Sequence, residues 1–151
     1  IPFAFPNFEA RVRAVRFHDL HHVVTGYQTD GPGEGEISAW EIGSGCADYW
    51  AAWLLNLGGM PAGCLLAPGR IFRAFVRGRH SANLYRHEYD SELLATSVDE
   101  IRQQLLSGET ISATTGDRLS FGLWLAVGVS AGLAQLGLVL ALLTSLVSWI
   151  L

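Results

Sequence analysis

Charge is what this chain of 151 residues has least of: only 16% are Asp, Glu, Lys or Arg. An ordinary soluble domain carries roughly 25%. The shortfall sits almost entirely at one end. No basic tail exists and the net charge is −4, so nothing in the global electrostatics points to nucleic acid. Cysteine is also scarce, at two residues. Cys46 and Cys64 both lie among apolar or small residues, and read as free thiols rather than a disulfide framework. The opening residues lack a charged segment followed by a continuous apolar core, and Pro2 and Pro6 forbid an early helix, so no secretory signal is read there. Alternating strand patterns bounded by hairpin turns are also missing. What remains is an all-α fold: a small helical domain over 1–110 and one C-terminal transmembrane helix over 119–151.

The pattern from Phe8 to Val23 is helical, with Val12, Val15, Leu20, Val23 and Val24 spaced among charges and histidines. Gly26 is its expected stop. Gln28 to Gly33 reads as a turn, with Gly31 and Gly33 free to take positive φ and Pro32 fixing its own. Glu34 is expected to open a second helix that runs to about Leu57 and closes at Gly58-Gly59 and Pro61. Further helices are predicted over Arg70–Arg77 and Val98–Leu106, the latter with Ser97 and Glu100 at capping-box spacing.

No charged residue occurs between Leu119 and Leu151, and Gln135 is the single amide. An apolar run above about 18 residues is the transmembrane criterion. Trp124 and Trp149 stand far enough apart to seat one indole at each interface of a bilayer about 30 Å thick. Gly128 and Gly132 form a Gly-x-x-x-Gly pair, which reads either as a helix-dimerisation surface giving a homo-dimer or as the small-residue content common to such spans. A weaker uncharged run, Tyr49 to Pro68, contains Asn56, Gly58-Gly59 and Pro61. It reads as an interrupted helical hairpin packed in the domain or dipping into the membrane interface, with a second membrane span as the alternative.

The chemistry concentrates in His18-Asp19-Leu20-His21-His22. On a helix, His18 and His22 project from one face one turn apart, and such a pair can bite one cation. Asp19 is offset by about 100°. Glu34 lies beyond the Gly- and Pro-rich turn, which folds the chain back so that Glu34 can close the site. These four residue types at fixed spacing arise by chance on the order of once in ten thousand such chains, at a few per cent usage each. The bland alternative is a solvated helix end with Glu34 as a first-turn acid. His21 is the spare, expected to point elsewhere. His-Asp-x-x-His also resembles the His-Glu-x-x-His of zinc proteases. The shorter Asp and the nearby Glu34 argue against that chemistry.

His18-Asp19-x-x-His22-x11-Glu34, with Gly26, Thr29 and the Gly33-Glu34 pair between, resembles the ubiquinone (coenzyme Q) biosynthesis protein four family. The similarity runs from about Phe8 to Leu106 and includes Ile101-Arg102-Gln103-Gln104-Leu105, similar to that family's last helix. The resemblance implies that His18, Asp19, His22 and Glu34 bind zinc, while two imidazoles with hard carboxylates would also accept iron or manganese. It further implies a place at the membrane, assembly with other quinone-biosynthesis enzymes, and a part in oxidative decarboxylation of the prenylated ring precursor. Binding of long prenyl lipids belongs to the same expectation.

On that reading Trp50, Trp53, Leu54 and Leu57 would line a pocket for the lipid tail. Arg70, Arg73 and Arg77, on a short amphipathic segment, read as a solvated face or as contacts to anionic headgroups or an acidic prenyl substrate. The metal domain is expected on the cytoplasmic side, near these arginines. Two functions fit: a metal-dependent decarboxylase, and a non-catalytic prenyl-lipid scaffold with a structural metal. Four protein ligands are the closed count of structural zinc, so the motif alone does not choose between them.

Overall fold

The computed structural model describes residues 8–107 and 111–150 of the chain. Residues 1–7, read above as carrying no secretory signal, residues 108–110 and Leu151 lie outside the described residues. The elements in order are α1 (Glu9–Thr25), α2 (Gly31–Ser44), α3 (Trp50–Leu66), α4 (Pro68–Arg79), a 3-10 turn (Leu84–Arg86), α5 (Ser91–Ala95), α6 (Val98–Leu105) and α7 (Thr115–Ile150). No strand occurs among the described residues. The all-α expectation holds.

α1 ends where the sequence says it must. Gly26 takes φ +79° and returns its N–H to the His22 carbonyl, the left-handed cap that glycine adopts without a Cβ penalty. Only four residues, 26–29, precede the Asp30 cap of α2, so α1 and α2 fold back on each other. Gly31 and Gly33 do not take positive φ; that property belongs to Gly26 and Gly45 among the described glycines. Instead Gly31 and Pro32 begin α2, capped by the Asp30 carboxylate accepting from Gly33 N–H at 2.7 Å. Proline suits a first helical turn because its missing N–H is not needed there. Gly33 is required for space: a Cβ there would strike the Gln28 carbonyl.

The expected single helix from Glu34 to Leu57 is two helices. Gly45 at φ +85° and Ala47 at φ +46° break it, and α3 starts afresh at Trp50. Nor do Gly58-Gly59 and Pro61 close α3, which continues to Leu66. Packing outweighs propensity here. Gly59 abuts Ser38, and Gly63 lies against Gly35 where a Cβ would meet backbone. Pro61 has no N–H for the Leu57 carbonyl, and that oxygen lies against Gly128 of α7 instead.

α2 is the centre of the domain, in its most extensive contact with α3 and α4. One apolar cluster joins α1, α3 and α6 through Ala14, Phe17, Ala51, Ala52, Ile101 and Leu105. A second, around Ile42, Met60, Ile71 and Phe75, takes in Trp124 and Leu125 of α7. The Ser97–Glu100 capping box forms as expected. Cys46 and Cys64 are free, the first buried and the second half-buried.

α7 is long and apolar enough to cross a membrane and is almost wholly exposed within the chain. It begins at Thr115, before the expected Leu119, because Asp117 accepts from Thr114 N–H at 2.9 Å and anchors its first turn to Arg79 at 2.6 Å. Trp124 is not a free belt residue; its ring stacks on Trp53 with centroids 5.0 Å apart. Gly128 is buried against α3 of the same chain, whereas nothing lies near Gly132. The first glycine of the pair is therefore used within the monomer.

Candidate metal centre

The candidate site lies between α1 and the start of α2, and it is built by hydrogen bonds that fix each imidazole. His22 Nδ1 lies 3.0 Å from the Tyr27 carbonyl. A carbonyl only accepts, so Nδ1 carries the proton and Nε2 is left with its lone pair. That Nε2 is buried with no hydrogen-bond partner. His18 Nδ1 donates to Glu41 Oε1 at 3.1 Å, which again turns Nε2 outward. Both Nε2 atoms face Glu34: His18 Nε2 is 3.5 Å from Oε2 and His22 Nε2 is 3.4 Å from Oε1. One donor atom from each of the three side chains lies within 4.8 Å of the others.

His18, His22 and Glu34 therefore form a group that could hold a metal ion. The set fits such an ion on its own chemistry. Each imidazole is oriented by an acceptor at Nδ1 so that its Nε2 faces the other donors, and a carboxylate supplies the charge. A buried ring nitrogen without a partner carries a cost of about 1–3 kcal/mol unless something binds it.

Asp19, the fourth expected ligand, is exposed and is not in this group. The 100° step along α1 carries it off the face that His18 and His22 share. His21 does point away from the donors, but it is buried and engaged. Its Nδ1 donates to Glu41 Oε1 at 2.7 Å and its Nε2 accepts from Leu84 N–H at 3.0 Å.

Glu41 is the residue that sequence reasoning missed. It is fully buried. Oε1 accepts from His18 and His21, and Oε2 accepts from Asn56 Nδ2 and from Tyr85 Oη at 2.7 Å. All four of its lone-pair positions are used. Burial by itself would push its carboxyl upward, but the bonds from the two histidines outweigh that and hold it well below the usual carboxylate range. Burial likewise opposes a proton on His18. Its bond to Glu41 and the charges of Glu41 and Glu34 prevail, so the imidazole is pushed up to about 9. Tyr85 moves the other way from an ionised state: burial, then the adjacent Glu41 charge, raises its hydroxyl. The signal for Glu41 was available. It lies two turns past Glu34 on the same helix, a lone carboxylate between Trp40 and Ile42.

A cavity of about 260 Å³ opens beside the donors, lined by His18, Glu34 and Glu41 on one side and Ala52, Leu55 and Gly59 of α3 on another. Trp50, Trp53, Leu54 and Leu57, the residues expected to line a tail pocket, are not among its lining residues. Trp50 stacks on Phe8 at 5.4 Å, and Trp53 and Leu57 pack into the α7 contact. The start of α3 at Trp50 sets the helix's rotation, so Ala52, Leu55, Asn56 and Gly59 form the stripe that faces the site.

The arginines divide. Arg70 grips Glu36 with two bonds at 3.0 and 2.6 Å, and Arg77 donates to the Thr25 carbonyl at 3.0 Å while lying over the Tyr27 ring. Arg73 is exposed on α4. Two of the three expected headgroup contacts are thus engaged inside the domain, and none lines the cavity at the donors.

Fold and site together define a helical domain with a candidate two-histidine, one-carboxylate metal centre and a helix able to cross a membrane. No family model, curated protein or solved structure matches the chain.

Proposed function

We propose that this chain is a membrane-attached metal protein of ubiquinone biosynthesis, acting in the oxidative decarboxylation of a prenylated ring precursor, with an external two-electron oxidant such as dioxygen taking the electrons as carbon dioxide leaves. His18, His22 and Glu34 hold the ion, which is zinc, with iron or manganese as the substitutes the same ligands accept. The observation that carries the reading is the buried, unpartnered Nε2 of His22, aimed at His18 and Glu34 beside a cavity with apolar walls. When bound, a divalent ion supplies Lewis-acid stabilisation to a ring carboxylate or phenolate.

The chain's own residues do the rest. Glu41 and the Tyr27 carbonyl keep both imidazoles oriented. Ala52, Leu55 and Gly59 offer the ring an apolar wall and exclude water. α7 keeps the domain at the membrane where a prenylated substrate resides, with the metal domain on the cytoplasmic side. The resemblance in the ligand motif supports the pathway and the company of other quinone-synthesising enzymes.

A purely structural ion is the weaker alternative. The Glu41 cluster already ties α1, α2, α3 and the Tyr85 turn together without one. Three protein ligands would also leave a position for substrate, as catalytic sites do. The test is Glu34→Gln in cells that depend on this protein. A folded, metal-loaded variant should accumulate the carboxylated prenyl-ring precursor and make little quinone. Normal quinone output from that variant would remove the enzymatic reading.

A further inference from the structure

α3 and α7 run parallel. Trp53 stacks on Trp124, and Leu57 and Pro61 meet Gly128, so higher numbers on one helix match higher numbers on the other. The last turn of α3 therefore lies past Gly128, on the side where α7 leaves the domain. From Val129 to Trp149 α7 has almost no cover, and these 21 residues span about 31 Å at 1.5 Å each. That length is one hydrocarbon core, about 30 Å. The part of α7 before Gly128 packs one face, Phe121, Trp124 and Leu125, on the α3–α4 core. The bilayer surface thus falls near Gly128, at the level of the α3–α4 corner.

The corner is made for such a place. Leu65 is 88% exposed and Leu66 63%, beside Ala62, Ala67 and Pro68, with no polar side chain from Pro61 to Gly69 except the Cys64 thiol. Exposed Arg73 follows on α4, while Arg70 is paired with Glu36, and along the chain no acidic residue occurs between Asp48 and Glu88. Apolar residues flanked by arginines match the acyl-to-headgroup boundary of an anionic leaflet. We propose that the α3–α4 corner, residues 62–69, inserts into the membrane interface beside α7, so that the domain is seated on the bilayer at two points rather than tethered by one. This seat does not depend on what the metal site does. It has a consequence for access, however. Leu55, Gly59, Ala62 and Leu66 follow one another along a single stripe of α3, and the first two line the cavity.

The test uses the full chain in nanodiscs of mixed neutral and anionic lipid, with Cys64→Ala and the buried Cys46 left in place. Leu65→Cys and Leu66→Cys are each spin-labelled, at positions exposed enough to tolerate the change. Saturation by dissolved oxygen and by a water-soluble nickel chelate is then compared. Each label should respond several-fold more to oxygen than to nickel, as a label at Leu133→Cys in α7 does. A nickel response equal to that of Glu92→Cys on α5 would overturn the proposal. Exclusion of both reagents, as a protein partner over the corner would cause, would overturn it too.

Discussion

Two carboxylates on one helix, seven residues apart, have opposite fates. Glu41 is fully buried and has four donors for its four lone-pair positions, two of them histidine N–H groups. Glu34 is half exposed and faces two histidine nitrogens, one of which is unpartnered. The first charge is neutralised by the fold; the second shares His18 and belongs to a group that could hold a cation. The difference lies in which ring nitrogen each carboxylate meets. Glu41 meets protonated Nδ1 atoms, whereas Glu34 meets the Nε2 of His22, whose proton is fixed on the other side of the ring by the Tyr27 carbonyl. A finished network thus serves as the mould for an unfinished one.

The largest effect should come from breaking the finished half. Glu41→Gln keeps the shape but sets an amide N–H₂ among groups that donate. Losing the charged acceptor of a buried network costs about 3 kcal/mol or more. Thermal unfolding should show a clear loss of stability in metal-free protein, where no ion masks it. The carboxylate's contribution has a defined sign: its folded pKa lies below its ordinary 4.5. Stability should therefore be present above that value and be lost on further acidification. A Gln variant as stable as the parent would mean that Glu41 is not the keystone described.

Next in size is the unfinished half. His22→Ala removes one of three donors together with its bond to Tyr27, a bond worth about 1 kcal/mol. The fold should survive while metal content falls from close to one equivalent to almost none, measured by elemental analysis of purified protein. Undiminished metal would place the ion elsewhere.

That half of the contrast was largely legible in the sequence. Imidazole spacing on a helix, a glycine stop and a carboxylate after a turn are local rules, and they brought His18, His22 and Glu34 together. Glu41 was not legible in the same way, because its partners come from Asn56 and Tyr85, which only tertiary packing delivers. The break at 45–49 escaped for a related reason. A run of small residues reads as helix, and only the positive φ at Gly45 and Ala47 shows otherwise. Gly58-Gly59 and Pro61 erred in the opposite direction. Their helix-breaking tendency, about 1 kcal/mol for each glycine and 3 for proline, is outweighed by close contacts to Ser38 and α7 that no local window contains.

A smaller effect joins the two carboxylates through His18. In metal-free protein its imidazolium sits between Glu41 and Glu34 and is raised from 6.5 to about 9. A raised pKa gives stability that is full below pH 6.5 and is lost as pH rises through about 9. An ion must displace this proton, so metal affinity should climb over the same window. Unfolding of stripped protein and chelator competition, both followed from pH 6 to 9.5, should therefore trend in opposite directions. Parallel trends, or flat ones, would show that His18 is not shared between the two carboxylates.

The smallest effect should belong to Asp19. By motif it ranks with the ligands, and the resemblance assigns it to zinc. By position it is exposed, one residue and about 100° around α1 from His18, outside the group formed by His18, His22 and Glu34. A carboxylate so placed can act on a nearby cation through charge, and an exposed charge is heavily screened by water and salt. Asp19→Asn should therefore leave metal content near the parent value, with affinity reduced less than about tenfold, the lower edge of what outer residues contribute. His22→Ala, measured beside it, supplies the scale for a true ligand. If Asp19→Asn loses metal as completely as His22→Ala, the Asp19 side chain must swing across the helix face when the ion binds. The site would then have four protein ligands and no open position. That result would turn the comparison around: Glu34 would belong to a closed structural centre, and the case for chemistry at this metal would fall with it.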